Sequence, residues 1–309
     1  SVQDKEGEVA LCTLSAVNLG ALESLDELED ITDIIVRSLD SLLDYQDYPL
    51  KSAEITSNNR RTLGIGVTNL AYYLAKNDAK YSDGSGNDLI HRTFEALQYF
   101  SLKASNKIAQ EFGPCPLFSE TQYAKGVMPI DSYKKDIDQF CNTELELDWD
   151  SLRKNIQATG LRNSTLTALM PCESSSQISN STNGIEPPRG FISVKQSKDG
   201  ILKQVVPEYE KLHKKYELLW DIKDNEGYLQ LCAIMQKFVD QSISTNTHYD
   251  PSQYDGNRVP MKLFLMDLLK AYKYGIKTLY YHTTRDGASD GQNTTAKGDD
   301  DCEDGVCKL

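Results

Sequence analysis

The sequence predicts an α/β fold built on mainly parallel strands, and three observations carry that prediction. Helical and extended patterns alternate along the chain. The extended stretches read as buried rather than half-exposed, as expected of strands covered on both faces. The helical stretches carry apolar stripes at three- and four-residue spacing. With 309 residues, 39% hydrophobic and 26% charged, the chain can bury one large core or divide into two domains.

GEVALCTLSAVNLG (7–20) is rich in small and β-branched residues and predicts a buried strand carrying Cys12. The chain thus opens on a buried strand with no element before it to cover it, which suggests part of something larger. From Leu25 to Tyr45, Leu28, Ile31, Ile35, Leu39, Leu42 and Leu43 recur at helical spacing, and acidic residues crowd the first turns, where they suit the helix dipole. LGIGVTNLAYYLA (63–75) is apolar nearly all round and reads as a helix buried inside other structure. A long amphipathic helix follows Gly86, with Leu97, Phe100, Ala104 and Ile108 on one face, and stops before Gly113 and Pro114.

After a looser, charged stretch, STLTALMP (164–171) predicts a buried strand that breaks at Pro171 into a serine-rich helix start. FISVK (191–195) and ILKQVVP (201–207), joined through KDG, predict a hairpin, and a helix follows around 229–243. MKLFLMDLLKAY places Met261, Phe264, Leu265, Leu268, Leu269 and Tyr272 on one stripe, which reads first as packing; Gly275 ends that helix and KTLYYHTT reads as a strand. Beyond Asp286 the composition is Gly, Asp, Ser, Thr and Asn, so disorder is expected there.

The net charge of −13 repels phosphate backbones, and no basic patch offsets it, so nucleic acid is not an expected partner. No apolar run approaches the ~18 residues that span a bilayer, and SVQDKEGEV is too polar for a signal peptide, so the expected address is cytoplasmic, without a membrane partner. Seven cysteines (12, 115, 141, 172, 232, 302 and 307) form an odd, scattered set, unlike a secreted disulfide framework. No metal site is expected, because the tail pair has no second pair near it and the four histidines (91, 213, 248 and 282) lack ligand spacing.

Four features can carry chemistry. Cys302 and Cys307 lie on a tail of flexible composition whose 21 residues from Tyr281 to Cys302 reach roughly 25 Å r.m.s. and ~70 Å extended. Such a dithiol supplies both the attacking and the resolving thiol of an exchange reaction, although Asp301, Glu303 and Asp304 raise the thiol pKa values, which makes access rather than acidity its advantage. Cys12 reads first as a small buried hydrophobe and alternatively as a substrate-side thiol. MPCESSSQISN (170–180) either caps a helix with serine or lets a phosphate approach unpaired N–H groups. Tyr280 and Tyr281 are neighbours on an expected strand and so point to opposite faces; a redox role requires both rings to stack, hence a local bend.

Taken together, ALCTLSAVNLG, RRTLGIGVTNLAYYLAK, YSDG, ATGLRNSTLTALMPCESSSQISNSTNGIEPPRG, YGIKTLYYHTTRDGA and the terminal CEDGVCKL resemble the carboxyl-terminal part of the aerobic (class Ia) ribonucleotide reductase large subunit. The resemblance implies the second half of a ten-stranded α/β barrel, five mainly parallel strands with surrounding helices over residues 1–285, and a flexible redox-active tail over 286–309. It further implies that Cys12 joins a cysteine of the first half to reduce substrate, that Tyr280 and Tyr281 relay a radical, and that Cys302 and Cys307 re-reduce the barrel disulfide and are recharged by thioredoxin or glutaredoxin. Pro171, Cys172, Glu173, Ser174, Ser175 and Ser176 correspond to the residues that hold the substrate diphosphate. The family usually has serine where this chain has Cys172, which replaces a hydroxyl contact by a weaker thiol one.

The family's Asn-x-Cys-x-Glu finger loop, other barrel cysteine, specificity-effector site and amino-terminal ATP cone have no counterpart in this sequence. The expectation is therefore a split large subunit, inactive as this chain alone, that reduces ribonucleoside diphosphates together with a separate N-terminal half and a small subunit bearing a di-iron tyrosyl radical. The chain itself binds no cofactor on this reading, and ATP and deoxynucleotide effectors belong to the N-terminal part. A rival from another class is a noncatalytic assembly or regulatory module descended from such an enzyme.

Overall fold

The computed structural model describes residues 7–11, 13–197 and 200–285. Five extended segments run parallel in chain order: β1 (Thr13–Asn18), β2 (Leu63–Thr68), the segment 165–169, β5 (Thr245–Tyr249) and β6 (Leu279–Thr284). β1 pairs with β2 from Thr13↔Leu63 to Asn18↔Thr68, and isolated parallel bridges, Ile65↔Thr167 and Leu169↔Ile243, join the middle segment to its neighbours. The expected antiparallel hairpin is formed by β3 (Ile192–Ser197) and β4 (Gly200–Val205), which pair only with each other among the described residues. The parallel α/β expectation therefore holds.

Helices α1 (Glu27–Tyr45) and α2 (Lys51–Arg60) connect β1 to β2; α3 (Leu70–Lys76), α4 (Asn87–Phe112), α5 (Pro129–Ser132) and α6 (Trp149–Thr159) connect β2 to the middle segment. α7 (Glu173–Ile178), the hairpin, α8 (Tyr209–Leu212) and α9 (Glu226–Gln236) lead to β5, and α10 (Met261–Tyr274) leads from β5 to β6. The looser, charged stretch thus contains α6, whose Trp149, Leu152 and Ile156 are buried and whose N-cap Asp148 accepts from the Ser151 N–H at 3.0 Å.

Three element expectations are corrected. Residues 63–68 form a strand, not the first turns of a helix. Every residue of β2, which pairs with β1 on one edge and the middle segment on the other, is buried, and a run buried on both faces lacks the alternation that distinguishes strand from helix. Gly66 is required here, since a Cβ would come within 2.7 Å of both the Ala168 carbonyl oxygen and the Met170 sulfur. The chain turns into α3 through Asn69 at φ +70°.

β1 is the second correction. Only Val17 of this strand is buried, and Leu14 is 49% exposed, because among the described residues β1 pairs only with β2. The third concerns α10: Asp267, Ala271 and Tyr274 face inward, whereas Met261, Leu265, Leu268, Leu269 and Tyr272 are exposed. Polar anchors fix that rotation. Asp267 accepts from Asn225 Nδ2 at 2.9 Å and Tyr249 OH at 3.1 Å, Lys270 pairs with Glu226, and Tyr274 OH donates to Glu226 at 2.9 Å.

α4 is central. It packs against α1, α6 and α9, so its polar residues are buried along with its apolar stripe. Several are answered by partners, although Ser101 Oγ finds none. Glu95 accepts from the Glu146 and Leu147 N–H groups and from Trp149 Nε1, while Gln98 accepts from Thr167 and donates to Tyr123. A second buried carboxylate, Asp240, takes the Leu166 and Thr167 N–H groups at 2.9 and 3.0 Å and fixes the start of the middle segment.

Candidate active site

The middle segment ends at Pro171, and α7 begins where the sequence predicts. Pro171, Glu173, Ser174 and Ser175 are exposed; Cys172 and Ser176 are buried. The helical ladder first closes with the Ser176 N–H donating to the Cys172 carbonyl at 2.8 Å, so the N–H groups of Ser174 and Ser175 precede it. The Cys172 thiol points inward, 3.6 Å from the Val67 carbonyl oxygen and 3.5 Å from that of Met170, and burial raises its pKa. Its N–H donates to Asn183 Oδ1 at 2.7 Å.

The loop after α7 is held from below. Asn69 Oδ1 accepts from the Thr182 N–H at 3.0 Å, the Asn69 N–H donates to the Thr182 carbonyl at 2.9 Å, and Thr68 Oγ1 donates to the same oxygen. Asn69 Nδ2 also donates to Asn18 Oδ1 at 2.9 Å. The carboxyl ends of β1 and β2 therefore carry this loop.

Further along, the loop brings Glu186 to β5, where Asn246 Nδ2 donates to its carboxylate. Burial raises the Glu186 pKa, and that hydrogen bond pulls it the other way. Asn246 Oδ1 in turn accepts from the Tyr281 N–H at 2.8 Å. At this point the β5/β6 register slips: Thr245 pairs with Leu279 but Thr247 pairs with His282, so Tyr280 and Tyr281 together oppose Asn246. The two tyrosine rings lie 4.0 Å apart between centroids, inclined at 48°, and both are at least half exposed.

The register slip thus brings the two rings together, tilted rather than parallel, and with both exposed neither ring lies in the core. Cys12, Cys302 and Cys307 lie outside the described residues. Sequence reading missed Asn246 and Glu186. Asn246 sits on β5, a strand signalled by the β-branched Thr245 and Thr247 and the aromatic Tyr249 alternating with polar residues; the helix before it ends at Gln236 rather than near residue 243. Glu186 lies in GIEPPRG, where nothing in residue type distinguishes a buried carboxylate from a solvated one. Among the described residues no group of acidic, histidine and cysteine side chains could hold a metal, and no described helix is long and apolar enough to cross a membrane.

These features define an α/β domain whose serine-rich loop sits at the carboxyl ends of β1 and β2 and reaches the first residues of β5. The chain belongs to the ribonucleotide reductase family: a family model described as "Ribonucleotide reductase, barrel domain" matches residues 1–282. It is 65% identical over 308 residues to a ribonucleoside-diphosphate reductase subunit alpha of Haemophilus influenzae, covering 100% of this chain and 40% of that protein. It is 63% identical over 269 residues to the ribonucleoside-diphosphate reductase 1 subunit alpha of Escherichia coli K12 (86% of this chain, 35% of the relative). With the subunit alpha of bacteriophage T4 it shares 48% over 314 residues, 100% of this chain and 41% of the relative. The chain therefore spans well under half the length of these relatives.

Proposed function

We propose that this chain supplies the carboxyl-terminal catalytic part of a ribonucleoside-diphosphate reductase large subunit. It acts together with a first barrel half carrying the finger-loop cysteine and with a small subunit that generates a di-iron tyrosyl radical. Ribonucleoside diphosphates lose the 2′-hydroxyl as water, and the two electrons come from Cys12 and a cysteine of the first half, which become a disulfide. The observation that carries this reading is the Tyr280–Tyr281 stack across a register slip, a geometry a strand adopts only by giving up its alternation.

At a 4.0 Å centroid separation the rings support a short hop in which one electron and one proton move together from ring to ring. Residues Pro171 to Ser176 hold the substrate diphosphate: the exposed hydroxyls of Ser174 and Ser175 and the N–H groups ahead of the ladder present donors, and Cys172 contributes shape rather than a thiol contact, since its sulfur faces two carbonyls. Residues 1–285 form the barrel portion and 286–309 the tail, whose Cys302 and Cys307 reduce the barrel disulfide and are recharged by thioredoxin or glutaredoxin. The exposed face of α10 docks the small subunit. ATP and deoxynucleotide effectors act on the N-terminal part, and the setting is cytoplasmic.

The test is reductase activity of this chain alone, then mixed with a first half and a small subunit. Activity is expected only in the full mixture, and Tyr280→Phe or Cys12→Ser is expected to abolish it. Turnover by the chain alone overturns the shared-barrel reading. Unchanged turnover in both variants replaces it with the noncatalytic module.

A further inference from the structure

We infer that Asn246, oriented by Glu186, is the positioning residue that holds Tyr280 and Tyr281 in their stack. This rests on the radical-relay reading above and adds the device that builds the relay.

A parallel ladder spaces its hydrogen bonds evenly, and an extra residue in one strand leaves a backbone N–H without a ladder partner. In β6 that extra residue falls at Tyr280/Tyr281, opposite Asn246. The Asn246 side chain supplies the missing acceptor, taking the Tyr281 N–H on Oδ1 at 2.8 Å. Without it, the buried side of the slip has an unanswered donor, and a regular register becomes the cheaper arrangement. A regular register sends the two rings to opposite faces.

An amide presents an acceptor on one side only if something fixes which way it faces. The Glu186 carboxylate does so: it accepts from Asn246 Nδ2, and the reversed amide would set oxygen against carboxylate and NH2 against the Tyr281 N–H. Asn246 is buried and Glu186 half-buried, so water competes less for the contact than at an exposed pair. Glu186 belongs to the loop whose Asn183 holds the Cys172 N–H, so the clamp starts from the same loop as the proposed diphosphate site.

The experiment uses the full chain with its first half and small subunit, and the variants Asn246→Ala, Glu186→Ala and Glu186→Gln. Two quantities are read: amide exchange at Tyr281 by NMR, and turnover split into kcat and KM. Asn246→Ala is expected to speed Tyr281 exchange by about tenfold or more and to lower kcat by a similar factor with KM for the diphosphate unchanged. Glu186→Ala should follow it, and Glu186→Gln, whose side-chain oxygen still accepts from Asn246, should recover protection and turnover. Tyr281 exchange unchanged in Asn246→Ala overturns the clamp. Exchange released with kcat unchanged, in a preparation where Tyr280→Phe abolishes turnover, overturns its role in catalysis. If Tyr280→Phe itself leaves turnover intact, the relay reading fails, while released exchange in Asn246→Ala still establishes the clamp.

Discussion

Leu269→Glu on α10 separates docking from folding. Leu269 is 65% exposed and sits on a face with Met261, Leu265, Leu268 and Tyr272, while the helix is anchored through Asp267 and Tyr274 on the other side. Removing an exposed leucine changes the stability of the chain by no more than ~0.5 kcal/mol. A partner covering this face gains about 1–2 kcal/mol from Leu269, two-thirds of the value of burying a leucine fully. A glutamate there forfeits that gain and desolvates a carboxylate, for another ~1–3 kcal/mol. If the small subunit docks here as proposed, the sum, about 2–5 kcal/mol, is expected to weaken its Kd roughly thirtyfold or more. Titration calorimetry with the small subunit measures it, and Ile34→Glu, an equally exposed residue (65%) on α1, serves as control. A Kd for Leu269→Glu within threefold of the unaltered chain, or an equal loss in Ile34→Glu, refutes the reasoning.

Three further outcomes follow from the structure. Arg61, at φ +48°, donates to Asp40 Oδ1 at 2.7 Å and to both oxygens of Asp44, and its guanidinium is buried with Asp40; Arg61→Ala should lower unfolding free energy by ~3–5 kcal/mol in urea titration, because a buried carboxylate loses its closest cation. His91 and His248 both have pKa values lowered to about 4, chiefly by burial, and for His91 also by Lys237, whose Nζ lies 2.9 Å from its Nε2. The unfolded chain then binds more protons than the folded one below the ordinary value of 6.5, so stability is present above that pH and falls as pH drops toward 4; His248→Phe should flatten this part of a melting-temperature profile. Finally, Cys302→Ser or Cys307→Ser should stop turnover with thioredoxin while sparing turnover with a small soluble dithiol; equal failure with both reductants removes the shuttle from the mechanism.

Alternation of helix and parallel strand was legible because it depends on local periodicity, as α1 and α4 demonstrate with boundaries close to those expected. What local periodicity cannot encode is what lies on the far side of an element. LGIGVT is apolar on both faces because both are buried in β2, and the same run suits a buried helix equally well. The α10 stripe has the spacing of a packed face, yet Asp267 on the opposite side finds Asn225 and Tyr249 and turns the leucines outward. For Tyr280 and Tyr281 the sequence states the conflict, two adjacent rings on one strand, but its resolution needs Asn246, 35 residues earlier, which no pattern connects to them.

The ties from Asn69 and Thr68 to residue 182 bear on affinity as well as shape. A loop that is already pinned to two strand ends loses little conformational freedom when an anion settles on the helix start beside it. On the proposed diphosphate reading, cutting the tie, as in Asn69→Ala, is therefore expected to transfer an ordering cost to the ligand: weaker binding without the loss of a single ligand contact.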